Sequence, residues 1–216
     1  MSDERWSAVD EYIEDRLIAL REAPKRALAA NQAAGLAAID VSPAQGKLLH
    51  LLVRMTGARR ILEIGTLGGY STIWMASALP ADGLIVTIEV DPRTAEVARQ
   101  NFAAAGLAGR VDLRLGPALD VLPRLEGPFD LVFIDADKAN NANYAAWAVK
   151  LARPGTVIVC DNVVREGRLL GDDGDPDVEG TRALFDLLGS EPRLSATAIQ
   201  TVGRKGWDGF AIAVVD

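Results

Sequence analysis

The sequence predicts a doubly wound α/β domain with a Rossmann-like sheet. Three observations carry that expectation. From residue 60 onward, short apolar segments rich in Val and Ile alternate with helical patterns. The intervening segments are long enough for right-handed crossovers in a parallel sheet covered on both faces. The first such strand runs into a glycine-rich turn, LEIGTLGGYS at 62–71. In sheets of this kind, ligands lie outside the carboxyl ends of the strands.

The elements follow in order. RWSAVDEYIEDRLIAL has apolar residues at helical spacing, and a second helix covers APKRALAANQAAG with a weaker apolar face. SPAQGKLLHLLVRMTG begins with Ser42 as N-cap, Pro43 at the first helical position and Gln45 at the capping-box position; Gly57 stops it. RILEI is the first strand, followed by a helix from Tyr70 to Leu79. LIVTIEV leads to a helix from Pro92 to Ala105, and VDLRLG to a short helix around ALDVLPRL. FDLVFID leads to a helix from Asn140 to Leu151, and GTVIVCD closes the repeat. DVEGTRALFDLLG reads as a last helix. SATAIQTV and GFAIAVV then flank the loop GRKGWD with no helix between them, so the sheet ends in an antiparallel pair. The chain reads as a single domain, with residues 1–57 as a helical cap and 58–216 as the α/β core.

Composition narrows the function. The 216 residues are 49% hydrophobic and 25% charged, ordinary for a globular chain. A net charge of -7 argues against a nucleic-acid partner. No apolar stretch is long enough to span a bilayer, and MSDERWSAVD lacks the features of a signal peptide. A cytoplasmic location is the expectation. Cys160, the only cysteine, lies in a buried strand pattern, and His50, the only histidine, lies in an apolar helix pattern. Both read as core residues, and one histidine excludes His-rich zinc sites.

The glycine turn is the first functional feature. Gly65, Gly68 and Gly69 allow tight turns and close ligand approach. The turn is not GxGxxG, since position 67 is leucine, and no P-loop lysine follows it. Glu89 ends the second strand, twenty-four residues beyond Gly65, where a carboxylate reaches ribose hydroxyls. Glu63 adds a second acid beside the turn. This acidic rim favours S-adenosylmethionine, which has cationic groups and no phosphate, over NADP or ATP. NAD also uses a ribose-binding acid, so an NAD(P)-dependent oxidoreductase stays open at this point.

The second feature is a pair of acidic strand ends. FIDADK places Asp135, Asp137 and Lys138 after the fourth strand, and VCDNV places Asp161 and Asn162 after the fifth. If these strands are neighbours, Asp135, Asp161 and Asn162 form an all-oxygen site for a hard cation such as Mg²⁺, with Mn²⁺ or Ca²⁺ as alternatives. Asp135 as a helix N-cap and Asp161–Asn162 as a turn are the plain structural readings. The metal would hold two vicinal oxygens of an aromatic diol, and Lys138 would help remove a proton. The oxygen would then attack the donor methyl in line.

These motifs resemble those of the class I cation-dependent, catechol-type O-methyltransferases, the family of catechol and caffeoyl-coenzyme A O-methyltransferases. The resemblance runs from EYIEDRL through SPAQGKLL, ILEIGTLGGYSTIWMA, TIEVD, FIDADK and DNV to KGWDGF. It implies an α/β/α sandwich on a seven-stranded sheet, mostly parallel with an antiparallel last strand, preceded by helices that cover the substrate. It implies donor binding by Glu63, Gly65, Thr66 and Ser71 of the turn, with Glu89 as the ribose acid. Val41 would close over the methionine end and Ala118 would contact adenine. Asp135, Asp161 and Asn162 match the metal ligands, Lys138 matches the catalytic lysine, and Asp135 also borders donor and lysine. Asp137 would be a further contact to the donor by the same resemblance. The implied acceptor is a small phenolic or catechol molecule, and the implied assembly is a homodimer.

The sequence departs from the family at Asn141, where bacterial and plant members commonly carry Tyr; Tyr144 is retained. The tip GRKGWDG and the loop REGRLLGDDGDPDVEG are expected to line the acceptor site, and the loop's acids disfavour a coenzyme A ester. Trp207 can stack on an aromatic acceptor or serve packing alone. A non-catalytic donor-binding protein is the remaining alternative.

Overall fold

The computed structural model describes residues 3–18, 22–171 and 174–216. The end of the first expected helix, residues 19–20, and Asp172–Asp173 of the acidic loop lie outside them.

Three helices come first: α1 (Asp3–Leu17), α2 (Glu22–Ala33) and α3 (Pro43–Thr56). The start of α3 follows its sequence signal. The Ser42 hydroxyl accepts from the Gln45 amide at 3.2 Å, and Gly57 ends the helix in the left-handed region at φ 63°. Five strands then alternate with helices: β1 (Arg60–Ile64), α4 (Tyr70–Ala76), β2 (Leu84–Glu89), α5 (Pro92–Ala104), β3 (Val111–Leu115), α6 (Ala118–Val121), β4 (Phe129–Ile134), α7 (Asn141–Lys150) and β5 (Ala152–Asp161). The chain finishes with α8 (Pro176–Ser190), β6 (Leu194–Gly203) and β7 (Gly206–Val215).

The seven strands form one sheet in the order β3-β2-β1-β4-β5-β7-β6. β1 to β5 pair in parallel, and β7 pairs antiparallel with both β5 and β6. β7 alone therefore runs against the rest. Strand residues alternate between two packed faces. Ile61, Leu131, Phe133 and Val159 pack with α2 to α5, while Leu62, Val132, Ile158 and Cys160 pack with α7 and α8. This is the expected doubly wound sandwich.

Three boundaries differ from expectation, and one of them is the start of β5, at Ala152 rather than Gly155. The helix after β1 ends at Ala76 rather than Leu79. The Ala78 and Leu79 amides turn back to Met75 and Ala76 carbonyls, tightening the chain ahead of Pro80. The expected GRKGWD loop is mostly strand. The ladder runs from Leu194 opposite Val215 to Gly203 opposite Gly206, leaving only Arg204 and Lys205 at the turn. Gly206 at φ 90° permits this short connection, and pairing satisfies backbone groups that a longer loop would leave to water.

The two lone residues are core residues. Cys160 is 1% exposed, and burial pushes its thiol up to about 12. The His50 ring is buried with Nδ1 3.2 Å from the Trp74 carbonyl oxygen, and it meets the Trp74 ring edge-on. Among the described residues, no helix is long and apolar enough to cross a membrane.

Candidate active site

The carboxyl ends of β1, β2, β4 and β5 open onto two adjoining cavities. The first, of about 730 Å³, sits over the β1–α4 turn. Its shape depends on missing side chains. A Cβ on Gly65, which has φ 96°, would collide with the Asp135 carbonyl oxygen, and one on Gly68 would collide with the Asn31 side chain. The turn is thus pressed between β4 and α2, which is why this segment tolerates no bulk.

Glu63 lies beneath this turn and is fully buried. It accepts hydrogen bonds from Ser71 Oγ at 2.6 Å, Thr72 Oγ1 at 2.5 Å and Thr87 Oγ1 at 2.6 Å. Burial pushes its carboxyl up to about 7, and the three hydroxyls work against that rise. Its carboxylate ties β1, β2 and α4 together from below instead of lining the cavity. Gly65, Thr66 and Ser71 do line it, as do Val41 from the segment before α3 and Ala118 after β3. Thr66 is pinned by a 2.6 Å contact between its hydroxyl and that of Thr87.

Glu89 sits on the cavity rim. Its Oε2 accepts from the Leu67 amide at 2.9 Å, and its Oε1 accepts from the amides of Val90 at 2.8 Å and Asp91 at 2.9 Å. A carboxylate offers about four acceptor positions, so roughly one stays open for a hydroxyl donor. The same acid holds Leu67 in the left-handed region at φ 48°.

The β4/β5 mouth brings the other predicted residues together. Ile134 and Cys160 are paired neighbours, so Asp135 and Asp161 stand one residue beyond the same rung. Asp135 Oδ1 accepts from Lys138 Nζ at 2.7 Å. Lys138 is 6% exposed, which removes it from the class of solvated lysines. Its backbone packs closely on Gly180 of α8, where a Cβ would collide with the Lys138 carbonyl oxygen. Asp161 is also 6% exposed, and its Oδ1 accepts from the Asn162 amide at 2.9 Å. Burial and then the Asp135 charge push the Asp161 carboxyl up to about 7, opposed by Lys138 and a Gln45 hydrogen bond. Asn162 adopts φ 55°, a conformation that asparagine tolerates better than most residues. Two carboxylates and an amide are oxygen donors suited to a hard divalent cation. Among the described residues, no group of three or more His, Cys, Asp or Glu side chains stands close enough together to hold a metal ion.

Asp137 lines the first cavity, but its oxygens already accept from Tyr144 at 2.5 Å and Asn140 at 2.6 Å. Asn141 is fully buried beside this pair.

The second cavity, of about 510 Å³, lies between the segment before α3 and the β6–β7 hairpin, with Asp161 and Asn162 in its wall. The hairpin contributes Lys205 and Gly206, and the segment after β5 contributes Arg165. Trp207 lines neither cavity; its Nε1 donates to Gln200 Oε1 at 3.0 Å, and its ring covers Gly167. Sequence reasoning missed Asp40 and Gln45 as wall residues, whereas Arg165 opens the loop that was expected to line the acceptor site. Gln45 had a local signal, the helix start, but that signal concealed its reach to Asp161.

Comparison with known proteins agrees with this geometry. Residues 14–206 match the model of the O-methyltransferase family. The chain is 55% identical over 208 residues to a catechol O-methyltransferase of Mycobacterium tuberculosis (strain ATCC 25618 / H37Rv), covering 96% of this chain and 94% of that protein. The O-methyltransferase of Bacillus cereus, solved in complex with SAH, superposes with a TM-score of 0.96 at 54% identity, covering 99% of each chain. An O-methyltransferase of Streptomyces achromogenes involved in tomaymycin synthesis, solved with SAM, gives 0.96 at 49% identity, covering 100% of this chain and 99% of that one. With the family match over most of the chain and 55% identity to a relative across nearly its whole length, this protein belongs to the O-methyltransferase family.

Proposed function

We propose that the protein transfers the methyl group of S-adenosylmethionine to one hydroxyl of a catechol-like, vicinal dihydroxy aromatic molecule, with a divalent cation at Asp135, Asp161 and Asn162. The observation that carries this reading is the meeting of the two cavities beside those residues and Lys138. Catechol O-methyltransferase is the name of the Mycobacterium tuberculosis relative, and the SAH and SAM complexes of the structural relatives support the donor.

The chain's own residues divide the work. Gly65, Thr66 and Ser71 present the turn to the donor, and the remaining acceptor position on Glu89 takes a ribose hydroxyl. Val41 covers the methionine end and Ala118 the adenine. When bound, a hard divalent cation (Mg²⁺ first, Mn²⁺ or Ca²⁺ as alternatives) supplies Lewis-acid acidification of a phenolic hydroxyl. Lys138, aimed by Asp135, helps remove the proton from the phenolic hydroxyl and steadies the oxygen's developing negative charge. The phenolate then attacks the methyl carbon as the carbon–sulfur bond breaks, leaving a neutral thioether. Alignment across the cavity junction supplies much of the acceleration.

The test is methyl transfer from S-adenosylmethionine to catechol, with EDTA and then with Mg²⁺ restored. Activity that disappears with EDTA and returns with Mg²⁺ is expected. Full activity after complete metal removal would sink the cation's role, and no methylated product from a broad phenolic panel would sink the reading. A homodimer and a cytoplasmic location belong to the same proposal. The exposed outer strand β6, with Ile199 and Val202 facing solvent, supports the dimer, and sedimentation velocity tests it.

A further inference from the structure

The two cavities share five wall residues: Ile39, Asp40, Val41, Asn162 and Arg165. Any methyl group passing from one cavity to the other crosses this line. Asp40 is the only acid among the five. Arg165, the only cation, is paired with Asp177 at 3.2 Å. Lys205, which also faces Asp40, donates to the Ala38 carbonyl oxygen at 3.0 Å.

Asp40 is held in place by a chain of buried amides. Its Oδ1 accepts from Asn31 Nδ2 at 2.9 Å. Asn31 Oδ1 accepts from Asn101 Nδ2 at 3.0 Å, and the same Asn101 nitrogen donates to the Gly68 carbonyl oxygen at 2.8 Å. Asn31 is 2% exposed and Asn101 is 6% exposed. This relay fixes Asp40 relative to the glycine turn. Among the described residues, only Oδ1 of the Asp40 carboxylate accepts a hydrogen bond from another side chain.

Resting on the function proposed above, we propose that Asp40, set in place by Asn31, reads the positive sulfonium of the donor where the cavities meet, and so separates the methylated donor from its demethylated product. The physical reason is charge. The donor carries a positive sulfur, and the product carries a neutral thioether of nearly the same shape. A carboxylate a few ångströms away favours the former and is indifferent to the latter. Because the sulfur loses its charge during transfer, this interaction strengthens donor binding without lowering the barrier.

The experiment is calorimetric titration of wild type and Asp40→Asn with S-adenosylmethionine and, separately, S-adenosylhomocysteine. Asparagine keeps an oxygen for Asn31 and removes only the charge. The expected result is donor affinity lowered ~10-fold with product affinity changed less than about 2-fold, the size of effect one partly screened charge produces. In steady state the donor KM rises while kcat holds or increases. Asn31→Ala, the positioning variant, lowers the donor-to-product affinity ratio in the same direction and adds nothing to that ratio in the Asp40→Asn background. Equal changes for both ligands, or none, would overturn the inference while leaving the methyltransferase reading intact. Wild type that binds neither ligand would overturn that reading and the inference with it.

Discussion

Two buried carboxylates stand at the two mouths of the sheet, Glu63 below the β1–α4 turn and Asp161 at the end of β5. Both are pushed up to about 7, chiefly by burial. Their surroundings differ. Glu63 is met by three hydroxyls of its own chain, all within 2.6 Å. Asp161 accepts from the Asn162 amide and from Gln45, but it also meets a second acid, Asp135, which pairs with Lys138. A buried carboxyl completed by neutral donors holds structure together. A buried carboxyl facing another leaves like charges together, and a positive ligand relieves that cost. A perturbed carboxyl is therefore not by itself the mark of a working site; its partners decide.

The strongest way to break this contrast is at Lys138. Lys138→Ala is expected to lower turnover by roughly 10²–10⁴-fold, the usual range for a lost acid–base group. Donor affinity should stay within about 3-fold of wild type. Calorimetry beside initial-rate kinetics checks this, and a collapse of donor affinity would return Lys138 to a structural role.

Glu63 should answer through stability. Its carboxyl is pushed up to about 7 in the fold, against an ordinary 4.5. Between those values the folded state binds more protons than the unfolded state. Its contribution is therefore fully present below about pH 4.5 and is lost as pH rises through about 7. The shift corresponds to ~3 kcal/mol at 1.36 kcal/mol per unit. Glu63→Gln removes this titration, so its stability should decline less than that of wild type from pH 5 to pH 7.5. Urea unfolding at both values provides the comparison, and parallel pH profiles would contradict the assignment.

Gly180 tests what supports the open mouth. Gly180→Ala forces α8 away from the Lys138 backbone, at a cost of about 1–3 kcal/mol in thermal or urea unfolding. Turnover should fall more than donor affinity, because the displaced residue is Lys138. Unchanged stability would mean that α8 shifts freely.

Trp207 lies outside both cavities and gives the smallest effect. Trp207→Phe loses the bond to Gln200, worth about 1 kcal/mol. Its kcat/KM for catechol should stay within about 3-fold; a larger loss would show that the ring meets the acceptor.

Much of this was legible along the chain because it is local. Ser42, Pro43 and Gly57 act within one helix, and the glycine turn, the DADK run and the DN pair each depend on a few successive residues. The β4–β5 adjacency that joins Asp135 to Asp161 was legible only as a condition on topology. The full length of the β6–β7 hairpin was not, since GRKGWD has loop chemistry and becomes strand through cross-strand pairing.

By itself the sequence determined the alternating elements, the acids at their carboxyl ends and the family to which they belong, because periodicity, capping and short motifs act over a few residues. Tertiary structure alone decided which acids are completed by hydroxyls and which face another charge. It also decided that Lys138 is buried with its backbone against Gly180, and that Asp40 is held at the cavity junction through Asn31 and Asn101. These outcomes depend on contacts between residues distant in the chain, where burial and the neighbouring charge set what a carboxylate does.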